Sequence, residues 1–86
     1  MWIIELRLLP TPQRLAARPA HRARLTELHR AGIVRMAGPL GDDSGAVIVV
    51  DAPDRAAVDS LIAADPYFAT SGVETTQVRE WRPFLH

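Results

Sequence analysis

The sequence contains no cysteine and no lysine, and its ten basic residues are all arginine. The absence of cysteine excludes disulfide bonds, thiolate nucleophiles and zinc–thiolate sites. Ten acidic residues balance the ten arginines, so the chain lacks the positive surplus that is typical of nucleic-acid-binding surfaces. No apolar run approaches the ~20 residues of a membrane-spanning helix. Glu5 and Arg7 interrupt the apolar stretch that a signal peptide would need. We therefore expect a cytoplasmic protein with neither nucleic-acid nor membrane partners.

The length of the chain predicts one domain that covers residues 1–86. A chain this short buries only roughly 60–65% of its unfolded surface, so burial through self-association would stabilise it. Almost half of the residues are hydrophobic, which is ordinary for a globular protein.

Local patterns predict four strands and two helices. Apolar runs bounded by proline, glycine and aspartate are typical of strands, and proline at the start of a helix with glycine after its end is typical of helix boundaries. We predict strands over residues 2–9, 33–40, 46–50 and 73–81, helices over residues 18–31 and 53–64, and loops over residues 10–17 and 65–72. Pro19 would lie in the first turn of the first helix.

This order, β-α-β-β-α-β, predicts an α+β, ferredoxin-like fold. Its four-stranded antiparallel sheet would have the first and third strands at its centre and both helices on one face. The third strand is apolar on both alternating sides, and a strand of that kind needs cover on both sides. A second copy of the chain is the simplest cover, which predicts a homodimer through the open sheet face and a dimeric α/β barrel. The alternative is a monomer with an exposed apolar face.

Histidine is the side chain most easily tuned near neutral pH, and His21 is the one that stands out. At helical spacing it shares the core-facing side of the first helix with Leu25 and Leu28, at the amino-terminal end of that side. His29 lies further round the same helix, and His86 is the last residue. The alternative for His21 is a half-buried histidine that is hydrogen-bonded to the backbone.

Asp65 interrupts the second helix in a similar way. It falls where Val58, Leu61 and Ile62 predict another apolar residue, and it lies at a helix carboxyl end, where the dipole disfavours negative charge. The alternative is a turn aspartate that binds nearby amides.

The predicted topology brings these two residues together. The helices of this fold run antiparallel, so the first helix begins at the end of the sheet where the second one stops. We expect His21 and Asp65 at hydrogen-bond distance, directly or through one water. Gly38, Ser44 and Tyr67 fall at the same rim, and together with Arg18 they are expected to border a substrate pocket there.

Four segments carry a resemblance to a known family: Arg18-Pro19-Ala20-His21, Gly38-Pro39-Leu40, Ala64-Asp65-Pro66-Tyr67 and Trp81-Arg82-Pro83-Phe84. In this order and at this spacing they resemble the YciI-like (YCII) proteins from the first strand to the last. The resemblance implies a dimeric ferredoxin-like barrel, related in architecture to muconolactone isomerases, with His21 and Asp65 as the presumed active site. One group of similar proteins dechlorinates a chlorinated hydroxyhydroquinone. Residues 10–17 depart from the family pattern beside the rim, which leaves the substrate open.

Each candidate binding residue has a structural alternative. Arg18 could bind a carboxylate or phenolate, because its planar fork suits such anions, or it could be a solvated arginine. Ser44 could donate to a ligand or serve only its turn. Tyr67 could close the pocket or simply fill the rim. A Ser–His–Asp triad lacks any nucleophile-elbow sequence, and a metal site would need ligands beyond one histidine and one carboxylate.

Three functions remain compatible with the sequence. The first is a lyase or isomerase without cofactor or metal, in which His21 moves a proton on a small molecule and Asp65 orients the imidazole. The second is a non-catalytic module that binds a small ligand through the same pair. The third is a structural dimer without a ligand.

Overall fold

Four strands and two α-helices follow one another in the order β-α-β-β-α-β in the computed structural model, which describes residues 1–86. The elements are β1 (Trp2–Leu8), α1 (Pro12–Arg30), β2 (Val34–Pro39), β3 (Gly45–Val50), α2 (Arg55–Ala63) and β4 (Val73–Glu80), with a 3₁₀ helix (Pro66–Ala69) before β4. This is the predicted α+β, ferredoxin-like fold. Neither α-helix combines the length and apolarity needed to cross a membrane.

The sheet has the strand order β2-β3-β1-β4, and every neighbouring pair is antiparallel. The prediction that the first and third strands are central is therefore confirmed. Ile4 at the middle of β1 lies opposite Ile48 of β3 on one side and Val78 of β4 on the other. The apolar residues of β1 and β3 are thus placed where neighbouring strands pair on both sides.

Both helices pack against the same face of the sheet. Alternate residues of β1, namely Ile4, Leu6 and Leu8, are buried in one apolar core, as a pleated strand requires. Val58 of α2 belongs to the same core, and Leu28 of α1 packs against it. The one-sided arrangement of the helices agrees with the sequence prediction.

A β-bulge at Arg35 changes which residues of β2 face the helices. Val34 pairs with Val50, but the next paired residue is Met36, opposite Val49. The extra residue shifts the alternation, so that Val34 and Ala37 both lie on the helix side of the sheet. Ala37 is thereby brought to the space beneath α1.

The predicted start of the first helix is wrong. The helix α1 begins at Pro12, so residues 12–17 are helical and not loop. Thr11 is the N-cap and its hydroxyl accepts a hydrogen bond from the Arg14 amide at 3.2 Å, while Pro12 occupies the first turn, where proline is favoured. Pro19 lies inside the helix, although it has no N–H to donate to the carbonyl one turn back.

The sheet face away from the helices has an apolar half and a charged half. Ile3 and Met36 lie on either side of Val49 in the register, and Met36 is 63% exposed. On β1 and β4 the same face carries ion pairs, including Arg79 Nη2 to Glu5 Oε1 at 3.2 Å. Val49 is already buried within one chain, so this apolar surface is smaller than the sequence of β3 suggested.

Candidate active site

His21 and Asp65 form a buried hydrogen-bonded pair between α1 and the segment that follows α2. His21 Nδ1 lies 2.7 Å from Asp65 Oδ2, and the two residues are 7% and 5% exposed. An ionised carboxylate can only accept a hydrogen bond, so Nδ1 carries the donated proton and Nε2 is the ring nitrogen left to exchange a proton with a ligand. The expected contact is therefore present.

The position of His21 within its helix differs from the prediction. Because α1 begins at Pro12, His21 lies near the middle of that helix and not at its amino-terminal end. The contact with Asp65 forms nevertheless, because the segment after α2 packs against the middle of α1. Arg14 lies one turn before Arg18 and two turns before His21, in the part of α1 that the sequence prediction treated as loop.

Asp65 uses its two carboxylate oxygens for different tasks. Its Oδ1 accepts a hydrogen bond from the Tyr67 amide at 3.0 Å, as the N-cap of the 3₁₀ helix, while Oδ2 binds His21. The two interpretations that the sequence left open, a turn aspartate and a partner for histidine, are thus both realised in one side chain. The turn holds the carboxylate in position for the imidazole.

Two aromatic rings hold the imidazole of His21 from different sides. The ring of Tyr67 stacks on it, with centroids 3.9 Å apart and planes 12° from parallel. Phe68 meets it edge-on, at 5.6 Å and 87°. Both contacts come from the 3₁₀ helix that Asp65 caps, so one short segment supplies the hydrogen bond and the packing that set the orientation of His21.

The pair adjoins a cavity of about 630 Å³ between α1 and the sheet. His21 lies in its wall, whereas Asp65 does not line it. The side chains that the sheet contributes are apolar: Leu6, Leu8, Val34, Ala37, Pro39, Ala46 and Ile48. A volume of this size suits a small organic molecule.

Three of the four predicted binding residues line this cavity, namely Arg18, Gly38 and Tyr67. Ser44 does not, because its hydroxyl donates to Asp42 Oδ1 at 2.6 Å within the exposed β2–β3 turn. That hydroxyl and the Ser44 amide hold the pKa of the Asp42 carboxyl below its usual value. Ser44 is therefore a turn residue here, which was the alternative that the sequence offered.

Sequence reasoning missed Arg14, which is 1% exposed and lines the cavity. Its Nε donates to the Leu9 carbonyl at 2.7 Å, Nη1 to the Tyr67 hydroxyl at 3.3 Å and Nη2 to Asp43 Oδ2 at 3.1 Å. The hydrogen bond to Tyr67, and after it the one to Asp43, raise the pKa of the Arg14 guanidinium above its ordinary value, although desolvation opposes them. The cation is thus fixed beside the ring that stacks on His21.

A signal for Arg14 was present in the sequence. Thr11 followed by Pro12 is a typical start of a helix, and a helix from there places Arg14 and His21 seven residues apart, on the same face. Pro12 and Pro19 both suit the first turn of a helix. The helix was predicted to begin near Pro19, which left Arg14 outside it.

No group of three or more histidine, cysteine, aspartate or glutamate side chains comes together that could hold a metal ion. The second histidine at the cavity, His29, has its Nδ1 2.9 Å from the Val34 carbonyl and is tied to the backbone in this way.

These observations define a ferredoxin-like α+β protein with a buried histidine–aspartate pair at the wall of a cavity beneath its first helix. The sequence model of the family described as YCII-related domain matches residues 3–82, which is nearly the whole chain. The protein belongs to that family. A search of curated protein sequences finds no match.

Proposed function

We propose that this YCII-related protein is an enzyme of the lyase or isomerase kind that transfers a proton on a small molecule, with His21 as general acid–base. The observation that carries the proposal is the 2.7 Å contact between His21 Nδ1 and Asp65 Oδ2, buried at the wall of a cavity large enough for a ligand. In this proposal Asp65 orients the imidazole and stabilises the imidazolium that forms in the reaction.

The chemistry needs a proton on a carbon next to a carbonyl. His21 Nε2 takes that proton, and the electrons of the C–H bond pass into the carbonyl to form an enolate. In an isomerase the proton returns at another carbon. In a lyase the electrons return to form a carbon–carbon double bond as a leaving group such as chloride departs from the adjacent carbon. General acid–base catalysis of this kind contributes typically 10²–10⁴-fold.

The packing around His21 supports this role. A general base is effective only when its lone pair is held in a productive direction. The stacked Tyr67 ring, the edge-on Phe68 ring and the Asp65 carboxylate restrict the imidazole in three directions.

The proposal is tested by screening small carbonyl compounds in D₂O. Proton NMR would follow the loss of the C–H signal next to the carbonyl, and released chloride would be measured for chlorinated compounds. For a compound that reacts, we expect His21→Gln to lower the rate by about 10²–10⁴-fold. Asp65→Asn, which keeps the shape but not the charge, is expected to lower it as well.

His29→Gln is the matched control, because it removes a histidine from the same helix and the same cavity that has no carboxylate partner. We expect this variant to keep most of the activity. If His21→Gln and Asp65→Asn remain folded and keep the wild-type rate, the pair is structural and the proposal fails. Ligands that bind without any exchange or elimination would instead indicate a non-catalytic binding module.

We also propose that two chains associate through the sheet face away from the helices. The exposed Met36, its partner Val49 and the half-buried Val47 support an apolar contact there, and the ion-paired half would form its rim. Sedimentation should give the mass of two chains at micromolar concentration, and Val47→Arg should give the mass of one. A wild-type mass of one chain would contradict this assembly.

A further inference from the structure

Positive charge is concentrated at the cavity although the chain as a whole is neutral. Arg14, Arg18 and Arg22 line the cavity, whereas Asp43 is the only acidic residue that lines it. Asp43 is already paired with Arg14 at 3.1 Å. With both histidines counted as neutral, two arginine charges at the cavity have no carboxylate in its wall to balance them.

Arg14 is held in place before any ligand arrives. Its three hydrogen bonds, to Leu9, Tyr67 and Asp43, use three of the five N–H groups of a guanidinium. The side chain is 1% exposed, so it offers a ligand little surface of its own. Its fixed charge acts on the cavity by neutralising Asp43.

The opposite wall of the cavity cannot satisfy a charge. It consists of aliphatic side chains of the sheet, among them Leu6, Leu8 and Ile48. A wall of this kind accommodates the hydrocarbon part of a ligand and penalises polar groups placed against it. A ligand that fits both walls has an anionic group on one side and an apolar body on the other.

We propose that the cavity selects a small organic carboxylate, with Arg18 and Arg22 as the positive charges that have no acidic partner in its wall. Arg14 sets this specificity by neutralising Asp43, the one carboxylate that lines the cavity. The apolar body of the anion lies against Leu6, Leu8 and Ile48, and its charged oxygens lie against the arginine side of the cavity. This inference deepens the proposed function, because it names the substrate class of the same site.

The anion preference is measured with pairs of compounds that share a body and differ in charge. Benzoate against benzamide, and cyclohexanecarboxylate against its amide, would be titrated into the ¹⁵N-labelled protein and followed by amide shifts around the cavity. Inorganic phosphate is the anion without an apolar body. We expect each carboxylate to bind about tenfold to a hundredfold more tightly than its amide, and phosphate to bind more weakly than either carboxylate.

Variants assign the preference to a residue. Arg14→Gln is expected to remove most of the difference between acid and amide, and Arg14→Lys to keep part of it. Arg55→Gln, which removes one arginine charge from α2 outside the cavity, is the matched control and should leave the difference unchanged. If Arg14→Gln does not fold, Arg14→Lys still tests the assignment, because it should lower the acid-to-amide ratio by losing the planar fork.

Equal affinity for acid and amide would overturn the inference, and so would an unchanged ratio in a folded Arg14 variant. Tight binding of phosphate would overturn the role of the apolar wall. The same titrations on His21→Gln separate this inference from the proposed catalysis. If His21→Gln still prefers the acid but has lost turnover, the result supports the anion specificity and the proposed catalysis. If the wild-type protein turns over neutral compounds only, the result supports the catalysis and overturns the anion specificity.

Discussion

The two helices lie on the same face of the sheet but bury different kinds of side chain. The residues of α1 that are buried are Arg14 and His21, both polar, whereas the buried residue of α2 is Val58. The cavity explains the difference, because α1 lines it and no residue of Arg55–Ala63 does. The helix α2 closes the apolar core directly, and α1 spans a space that its polar side chains face.

The buried side chain of α2 contributes to the apolar core, whereas the buried side chains of α1 lie at the cavity and depend on hydrogen bonds. A buried polar group costs free energy unless it is hydrogen-bonded. The two buried polar side chains of α1, Arg14 and His21, have hydrogen-bond partners, whereas Arg24 Nε on the same helix is buried without one. Those bonds tie α1 to the β2–β3 turn and to the 3₁₀ helix. The position of α1 therefore depends on polar contacts to a degree that the position of α2 does not.

The largest expected effect on stability comes from removing the charge at Arg14. Arg14→Met keeps the length of the side chain but removes the donor to the Tyr67 hydroxyl and one of the two donors to the Leu9 carbonyl, which also accepts from the Thr11 amide. We expect a loss of about 2–4 kcal/mol in the free energy of unfolding, measured by urea denaturation. A variant as stable as the wild type would show that α1 does not depend on these contacts.

Val58→Ala in α2 is expected to cost about 2 kcal/mol, from lost burial and the void that remains. Val58 is fully buried in the apolar core and does not line the cavity. Urea denaturation should show the loss, while the affinity for benzoate stays within twofold of the wild type. A large change in affinity without a change in stability would contradict the division between the helices.

Pro19→Ala is expected to stabilise the protein by about 1 kcal/mol. Pro19 lies inside α1, and alanine restores an N–H that can donate to the carbonyl of Leu15. Thermal unfolding should show a higher midpoint. A destabilised variant would indicate that the missing hydrogen bond at Pro19 is needed to place Arg14 and His21 on one side of the cavity.

The smallest effect is expected on the exposed surface of α2. Arg55 Nε and Asp59 Oδ1 are 2.9 Å apart at i and i+4, with more than half of each side chain exposed. Asp59→Ala should cost no more than about 0.3–0.5 kcal/mol, less at high salt. A cost as large as that of Val58→Ala would show that α2 also depends on polar contacts.

The strand pattern and the site residues differed in how well the sequence predicted them. The order β-α-β-β-α-β, predicted from apolar runs and their proline, glycine and aspartate boundaries, was enough to predict a four-stranded sheet with β1 and β3 at its centre. His21 and Asp65 stood out because each interrupts an apolar pattern. Arg14 did not stand out, because it fell in the predicted loop over residues 10–17, where an arginine is ordinary, and only its burial makes it unusual.

The sequence by itself determined the order of elements, the covered face of the sheet and the likeness to the YCII family, because these depend on local periodicity and on short segments in a set order. The tertiary structure alone decided that α1 begins at Pro12, that Ser44 serves its turn, and that Arg14 reaches Tyr67 across 53 positions of the chain. The contact between Arg14 and Tyr67 depends on how α1 packs against the 3₁₀ helix. That packing follows from the whole chain and from no single segment of it.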